Sequence, residues 1–190
     1  FRAKYWPQDS IPLDIFEIIE FGLDIEIRTI LNLREAGDVD ALLLGDLKTI
    51  VVDQHDFLND RAQNRLRFSI AHEIGHFVLH ADIFSKIQYA SVEEWIDFFQ
   101  KIPDDEYTWI EQHAYEFAGR LLVPRDKLIE KLKDAVSIAE TSGFDAWDSS
   151  GASAREYIAH GIAPYFEVSE QVIEKRLIKE SLWPPTQRRT

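Results

Sequence analysis

One stretch of fourteen residues, Arg67 to His80 (RFSIAHEIGHFVLH), constrains this chain more than any other. It contains His72-Glu73-Ile74-Gly75-His76, an H-E-x-x-H. On a helix, residues i and i+4 lie one turn apart on one face. Two imidazoles so placed can bind one metal ion, and zinc takes imidazole nitrogen in tetrahedral geometry. In this pattern the glutamate holds and deprotonates a water rather than binding the metal, which gives Glu73 the role of general base. Phe68, Ala71, Gly75 and Leu79 form an apolar stripe that predicts one continuous helix from about Arg61 to His80. The competing explanation, two helix histidines meeting by chance, leaves that context unexplained.

Two histidines do not complete a catalytic zinc site, which needs a third protein ligand and an open position. The chain has no cysteine, so the third ligand is His, Asp or Glu. His80 lies two turns from His72, roughly 12 Å along the axis, too far to share an ion. It reads as a helix-end residue that supports the site. Asp82 would suit a compact pattern that turns the chain back at a glycine, but position 79 is Leu79. Glu111 is the third candidate. It opens E-Q-H-A-Y-E-F-A-G-R-L-L-V-P, in which Ala114 and Ala118 allow close helix approach. An exposed helix carboxylate is the plainer reading of Glu111.

Around these motifs the chain reads as α+β. Residues 1–10 form an irregular lead-in, Pro12 opens a helix, and Gly22 terminates it. Residues 24–30 alternate polar and apolar, as a half-buried strand does. Two apolar runs, 39–44 and 48–52, flank Gly45-Asp46-Leu47 and predict a hairpin. The expected result is a small, mostly antiparallel sheet behind an N-terminal helix. Residues 53–60 form a polar loop carrying His55, with Asp60 or Asn59 as helix cap. Further helices are expected over 91–100, 106–122 and 125–139. The Ser- and Gly-rich run 141–153, with Phe144 and Trp147, is the linker candidate. It divides a domain at 1–140 from a helical region at 141–190. There, Val168-Ser169 to Arg176-Leu177 resembles the second helix of a helix-turn-helix.

The net charge of −13 argues against the phosphate backbone as main partner, and residues 151–190 carry only +1. Acidity of this kind suits solubility or a basic protein partner. The lack of cysteine fits a reducing cytoplasm, and no apolar run has membrane-spanning length. There is no methionine either, so Phe1 is expected to be the start of a processed or trimmed chain.

R-F-S-I-A-H-E-I-G-H-F-V-L-H followed by E-x-x-A-x-x-F-A-x-x-L-L-V-P resembles the ImmA/IrrE family of metallopeptidases. Pro12-Leu13-Asp14-Ile15 and Gly22-Leu23-Asp24-Ile25 are similar to that family's opening helix and strand, and the likeness spans roughly residues 10–125. It implies a zincin-like fold of the gluzincin type, with His72, His76 and Glu111 on one Zn2+ and Glu73 as base. It also implies a protein substrate, a helix-turn-helix transcriptional repressor. The sequence departs from the family at Tyr115, where Asn or Asp is common, which leaves Tyr115 between packing and oxyanion stabilisation. His113 and Glu116 are further candidates for orienting a ligating histidine. Cleavage of an extended substrate is expected along an edge strand, taken as 48–52. The alternative function is a regulatory protein on the same scaffold that senses stress or metal, acting through its helical tail with little proteolysis.

Overall fold

The computed structural model describes residues 1–86, 94, 104–143 and 152–184. All of the helix expected over 91–100 except residue 94, and the aromatic pair Phe144 and Trp147, lie outside the described residues. No described helix is long and apolar enough to cross a membrane.

A short helix, α1 (Arg2–Tyr5), stands where an irregular lead-in was expected. The next helix, α2 (Ile15–Glu17), starts at Asp14 rather than Pro12. The Asp14 carboxylate accepts the Phe16 and Glu17 amides, satisfying donors that a helix N-terminus leaves open. It runs into a π-helical segment, Ile18–Leu23, that ends at Asp24 in the left-handed region, φ 55°, not at Gly22.

Three strands follow: β1 (Glu26–Ile30), β2 (Ala41–Leu43) and β3 (Thr49–Asp53), with α3 (Leu33–Gly37) between the first two. The sheet order is β1-β3-β2. The predicted hairpin is present, with Leu42 opposite Val51 in antiparallel register. Asp46 shapes its turn by accepting the Lys48 and Thr49 amides. The expectation of a mostly antiparallel sheet fails, because β1 pairs with β3 in parallel, Arg28 opposite Val51. The hairpin reverses the chain once more after α3, so β3 runs in the direction of β1 and enters between β1 and β2. All five β3 residues are buried.

After β3, Asp53 caps α4 (Gln54–Phe57), a short helix inside the expected polar loop. Asn59 caps the 3-10 turn Asp60–Ala62 that leads into α5 (Gln63–Leu79). Residues Ile70 to His76 of α5 are all buried, whereas Leu79 is exposed and ends outside the core stripe expected of it. The helix packs against β2 and β3. Then come α6 (Ala81–Phe84), α7 (Asp104–Leu122), α8 (Arg125–Thr141), α9 (Ala152–Phe166) and α10 (Glu170–Lys179).

The chain forms two compact units. One comprises Phe1–Asp9 and Asp14–Ala118; the other comprises Ser10–Leu13 and the residues from Gly119 onward. The division falls inside α7. Helices α8, α9 and α10 pack together in the second unit. Arg176, part of the helix-turn-helix-like phrase, is buried there and ion-paired to Glu180 at 2.8 Å.

Candidate active site

Helix α5 presents Arg65, Phe68, Ser69, His72, Glu73 and His76 to a cavity of about 260 Å3 in the first unit. Their three- and four-residue spacing is that of one helix face. The opposite wall is the approach to β2, residues 38–42, and α7 contributes Glu111 and Tyr115.

Glycine at position 75 lets α7 come close. A Cβ there would stand 3.0 Å from the Ala114 Cα and 3.1 Å from its carbonyl oxygen. Backbone cannot yield as a side chain can, so the approach requires glycine on one helix and a small residue on the other. That approach brings Glu111 to the histidines. His72 Nε2 and His76 Nε2 are 2.9 Å apart. Glu111 Oε2 lies 3.1 Å from the first and Oε1 lies 3.3 Å from the second. The three residues singled out as ligands therefore meet at one point. Glu73 has an oxygen within 4.8 Å of both imidazoles. Its Oε2 accepts the Leu43 amide of β2 at 2.8 Å. Asp82 is exposed on α6 and does not line the cavity.

The electrostatics of this cluster call for positive charge. Burial disfavours a charged His72, yet its hydrogen bond to the Glu111 carboxylate and the nearby Glu73 charge outweigh that and raise its pKa. Burial pushes Glu111 up as well, but its contacts with His72 and His76 prevail and bring it to about 2. Burial raises the pKa of Glu73 against the opposing pull of both histidines. A tetrahedral zinc with bonds of 2.0–2.1 Å sets neighbouring ligand atoms roughly 3.3 Å apart. The observed separations of 2.9 to 3.3 Å fit such an ion, and the neutral-imidazole and carboxylate donors are those zinc takes.

His80 supports His76 from behind. Their Nδ1 atoms are 3.1 Å apart, and His80 is buried. If His76 turns Nε2 to a metal, its Nδ1 keeps the hydrogen and donates it to His80. That requires a neutral His80, and burial together with the neighbouring His76 and His113 holds it down to about 4. His113 stacks on the His80 ring, centroids 5.9 Å apart. Phe84 packs on His76 at 4.8 Å. Tyr115 sets its ring edge-on to His72, centroids 4.5 Å apart, and also stacks on Phe68. Burial, then the Glu111 and Glu73 charges, raise its pKa, so the phenol stays protonated at neutral pH.

A third group was not anticipated from the sequence. Asp40 precedes β2 and pairs with Arg65 Nε at 3.1 Å, while Ser69 Oγ stands 3.5 Å away. Arg65 also reaches the buried Asp56. Burial raises the pKa of Asp40, and Arg65 only partly reverses it. Arg65 and Ser69 precede His72 by seven and three residues, so helical spacing could have found them. Asp40 and the Leu43 amide arrive through strand pairing, which periodicity does not report. His55 lies exposed on α4 near Asp53 and Asp56, whose carboxylates already cap α4 and hold Arg65.

A family model described as the IrrE N-terminal-like domain, Peptidase_M78, matches residues 57–178. No curated protein and no solved structure matches the chain. The matched span contains α5 with its two histidines and glutamate, and α7 with Glu111. Motif and family model agree, and the chain belongs to the Peptidase_M78 family of IrrE N-terminal-like domains.

Proposed function

We propose that this protein is a zinc-dependent endopeptidase of the zincin type, acting on a helix-turn-helix transcriptional repressor or a similar regulatory protein. The observation that carries the reading is the meeting of His72, His76 and Glu111 beside Glu73, next to the outer strand β2.

His72 and His76 would hold the ion through Nε2 and Glu111 through its carboxylate. When bound, zinc supplies Lewis acidity, which eases deprotonation of water and draws electron density from a carbonyl oxygen. With Oε2 tied to the Leu43 amide, Glu73 keeps Oε1 to take a proton from the attacking water. The raised pKa of Glu73 makes its protonated form accessible, so the same carboxyl can return that proton to the leaving amine.

The expected substrate strand, 48–52, needs correction. Most of it is β3, which is central and paired on both sides. Of the two outer strands, β2 is the one beside the cavity. Leu42 and Leu44 turn their backbone toward β3, as the Leu44 amide on the Thr49 carbonyl shows. Alternation then turns the Ala41 and Leu43 backbone outward, where the Leu43 amide meets Glu73. An extended peptide added along β2 would pair with Ala41 and lie across the histidines.

The test is co-expression with the helix-turn-helix repressor encoded nearest the gene. Metal-dependent loss of that repressor is expected with the native protein, and persistence with Glu73→Gln. Unchanged loss in Glu73→Gln, or no zinc uptake by the purified protein, overturns the reading.

A further inference from the structure

The cavity continues past His72 toward the N-terminal end of α5, beyond anything the metal cluster uses. Its lining there is Asp38, Asp40, Arg65, Phe68, Ser69 and Tyr115. We propose that this end is a side-chain subsite for a basic residue, Arg or Lys, of the bound peptide. The proposal rests on the endopeptidase reading above and names its substrate chemistry.

Charge is the first argument. Two carboxylates, Asp38 and Asp40, face one guanidinium at this end. That guanidinium is already shared, because Arg65 spans Asp40 at 3.1 Å and the buried Asp56. Arg34 stands farther off, 3.7 Å from Asp40, and its side chain is half exposed. Asp40 itself is partly buried, with its side chain 17% exposed. A carboxylate so placed, with one close cation and one more distant, gains from a further cation, and hydrogen bonds to charged groups are the stronger kind. An acidic side chain entering here would meet two like charges and compete for an occupied arginine.

Shape is the second argument. Phe68 and Tyr115 stack with centroids 5.9 Å apart and line the path between the histidines and Asp40. Aromatic faces suit the aliphatic stem and cationic head of Arg or Lys. Ser69 Oγ lies beside Asp40 and can share the head group. The third argument is the charge of the whole chain, −13, which draws basic segments toward it.

The experiment has two arms on zinc-loaded full chain. First, a peptide mixture randomised at each position is digested, and the new termini are sequenced by mass spectrometry. Arg and Lys should be enriched about tenfold over Leu and Glu at one fixed position beside the cut. Asp40→Asn should remove most of that enrichment. Second, arginine, leucine and glutamate hydroxamates are titrated by calorimetry, which needs no turnover. Arginine hydroxamate should bind tightest and glutamate hydroxamate weakest, with the order flattened in Asp40→Asn. Should Asp40→Asn fail to fold, the exposed Asp38→Asn serves both arms, and a loss of about twofold is expected there. An order that does not put arginine first, or an enrichment indifferent to these variants, overturns the subsite. Failure to cut any peptide while arginine hydroxamate still binds first overturns the peptidase reading and leaves the subsite standing. Failure to bind zinc overturns both.

Discussion

Gly75 shows how much a single absent atom can position. The alanine methyl would press on Ala114 backbone at 3.0 Å, so α5 and α7 would have to separate there by a few tenths of an ångström. Glu111 sits one turn before Ala114 on α7 and would move with it. Gly75→Ala is therefore expected to cost about 1–3 kcal/mol in stability through overpacking. It should also weaken zinc binding, measured by chelator competition, more than Ala114→Gly does. Equal zinc affinity in Gly75→Ala would show that Glu111 is placed by something else.

Asp53 carries a second residue-scale prediction. Burial would raise its pKa, but the amides of Arg34, Asp56 and His55 donate to its carboxylate and bring the net value below the ordinary range. A depressed folded pKa gives stability that is present above the unfolded value near 3.9 and is lost as pH falls through the lower, folded value. Asp53→Ala should cost about 1–2 kcal/mol at neutral pH, as loss of a helix cap does. In urea titrations the gap to the native protein should narrow below about pH 4 and stay constant above about pH 5. A gap that widens in acid would contradict the assignment.

At the scale of elements, one carboxylate links three helices of the second unit. Glu180, at the end of α10, takes Arg176 at 2.8 Å, Arg125 at 3.0 Å and Arg120 at 3.5 Å. These arginines come from α10, α8 and the end of α7. Arg176 also donates to the Val123 carbonyl between the last two. Removing the partner of a buried charge is costly, so Glu180→Ala should lose about 3–5 kcal/mol, read as a fall in the thermal midpoint. Glu174→Ala is the control, since its pairing with Arg155 is more exposed and should cost less. The buried Arg176 also bears on the helix-turn-helix phrase, because a side chain spent on Glu180 is not presented to a groove.

Elements were legible where one helix face or one hairpin settled them. The α5 face, the hairpin and the Asn59 cap all follow from local spacing. Glu111 was legible because Ala114 and Ala118 announce a close helix contact. The parallel pairing of β1 was not legible, since periodicity reports which residues face a core and not which strand lies alongside. The edge identity of β2 followed the same rule, and so did Asp40, whose partner Arg65 is twenty-five residues away.

For the whole molecule, the family match runs from residue 57 to 178 and so includes segments of both compact units. A boundary inside α7 escapes composition, because a continuous helix shows no shift of residue type there. The bond between the Leu43 amide and Glu73 spans thirty positions of sequence and ties a strand to the chemistry on the helix. It makes that one amide a resident spectator of the carboxylate. In a nitrogen-15 spectrum, the Leu43 resonance should move whenever Glu73 gains a proton, loses one or is replaced by Gln. A peptide laid along β2 would disturb the same signal, so one peak can time both the docking of a peptide and the protonation of Glu73.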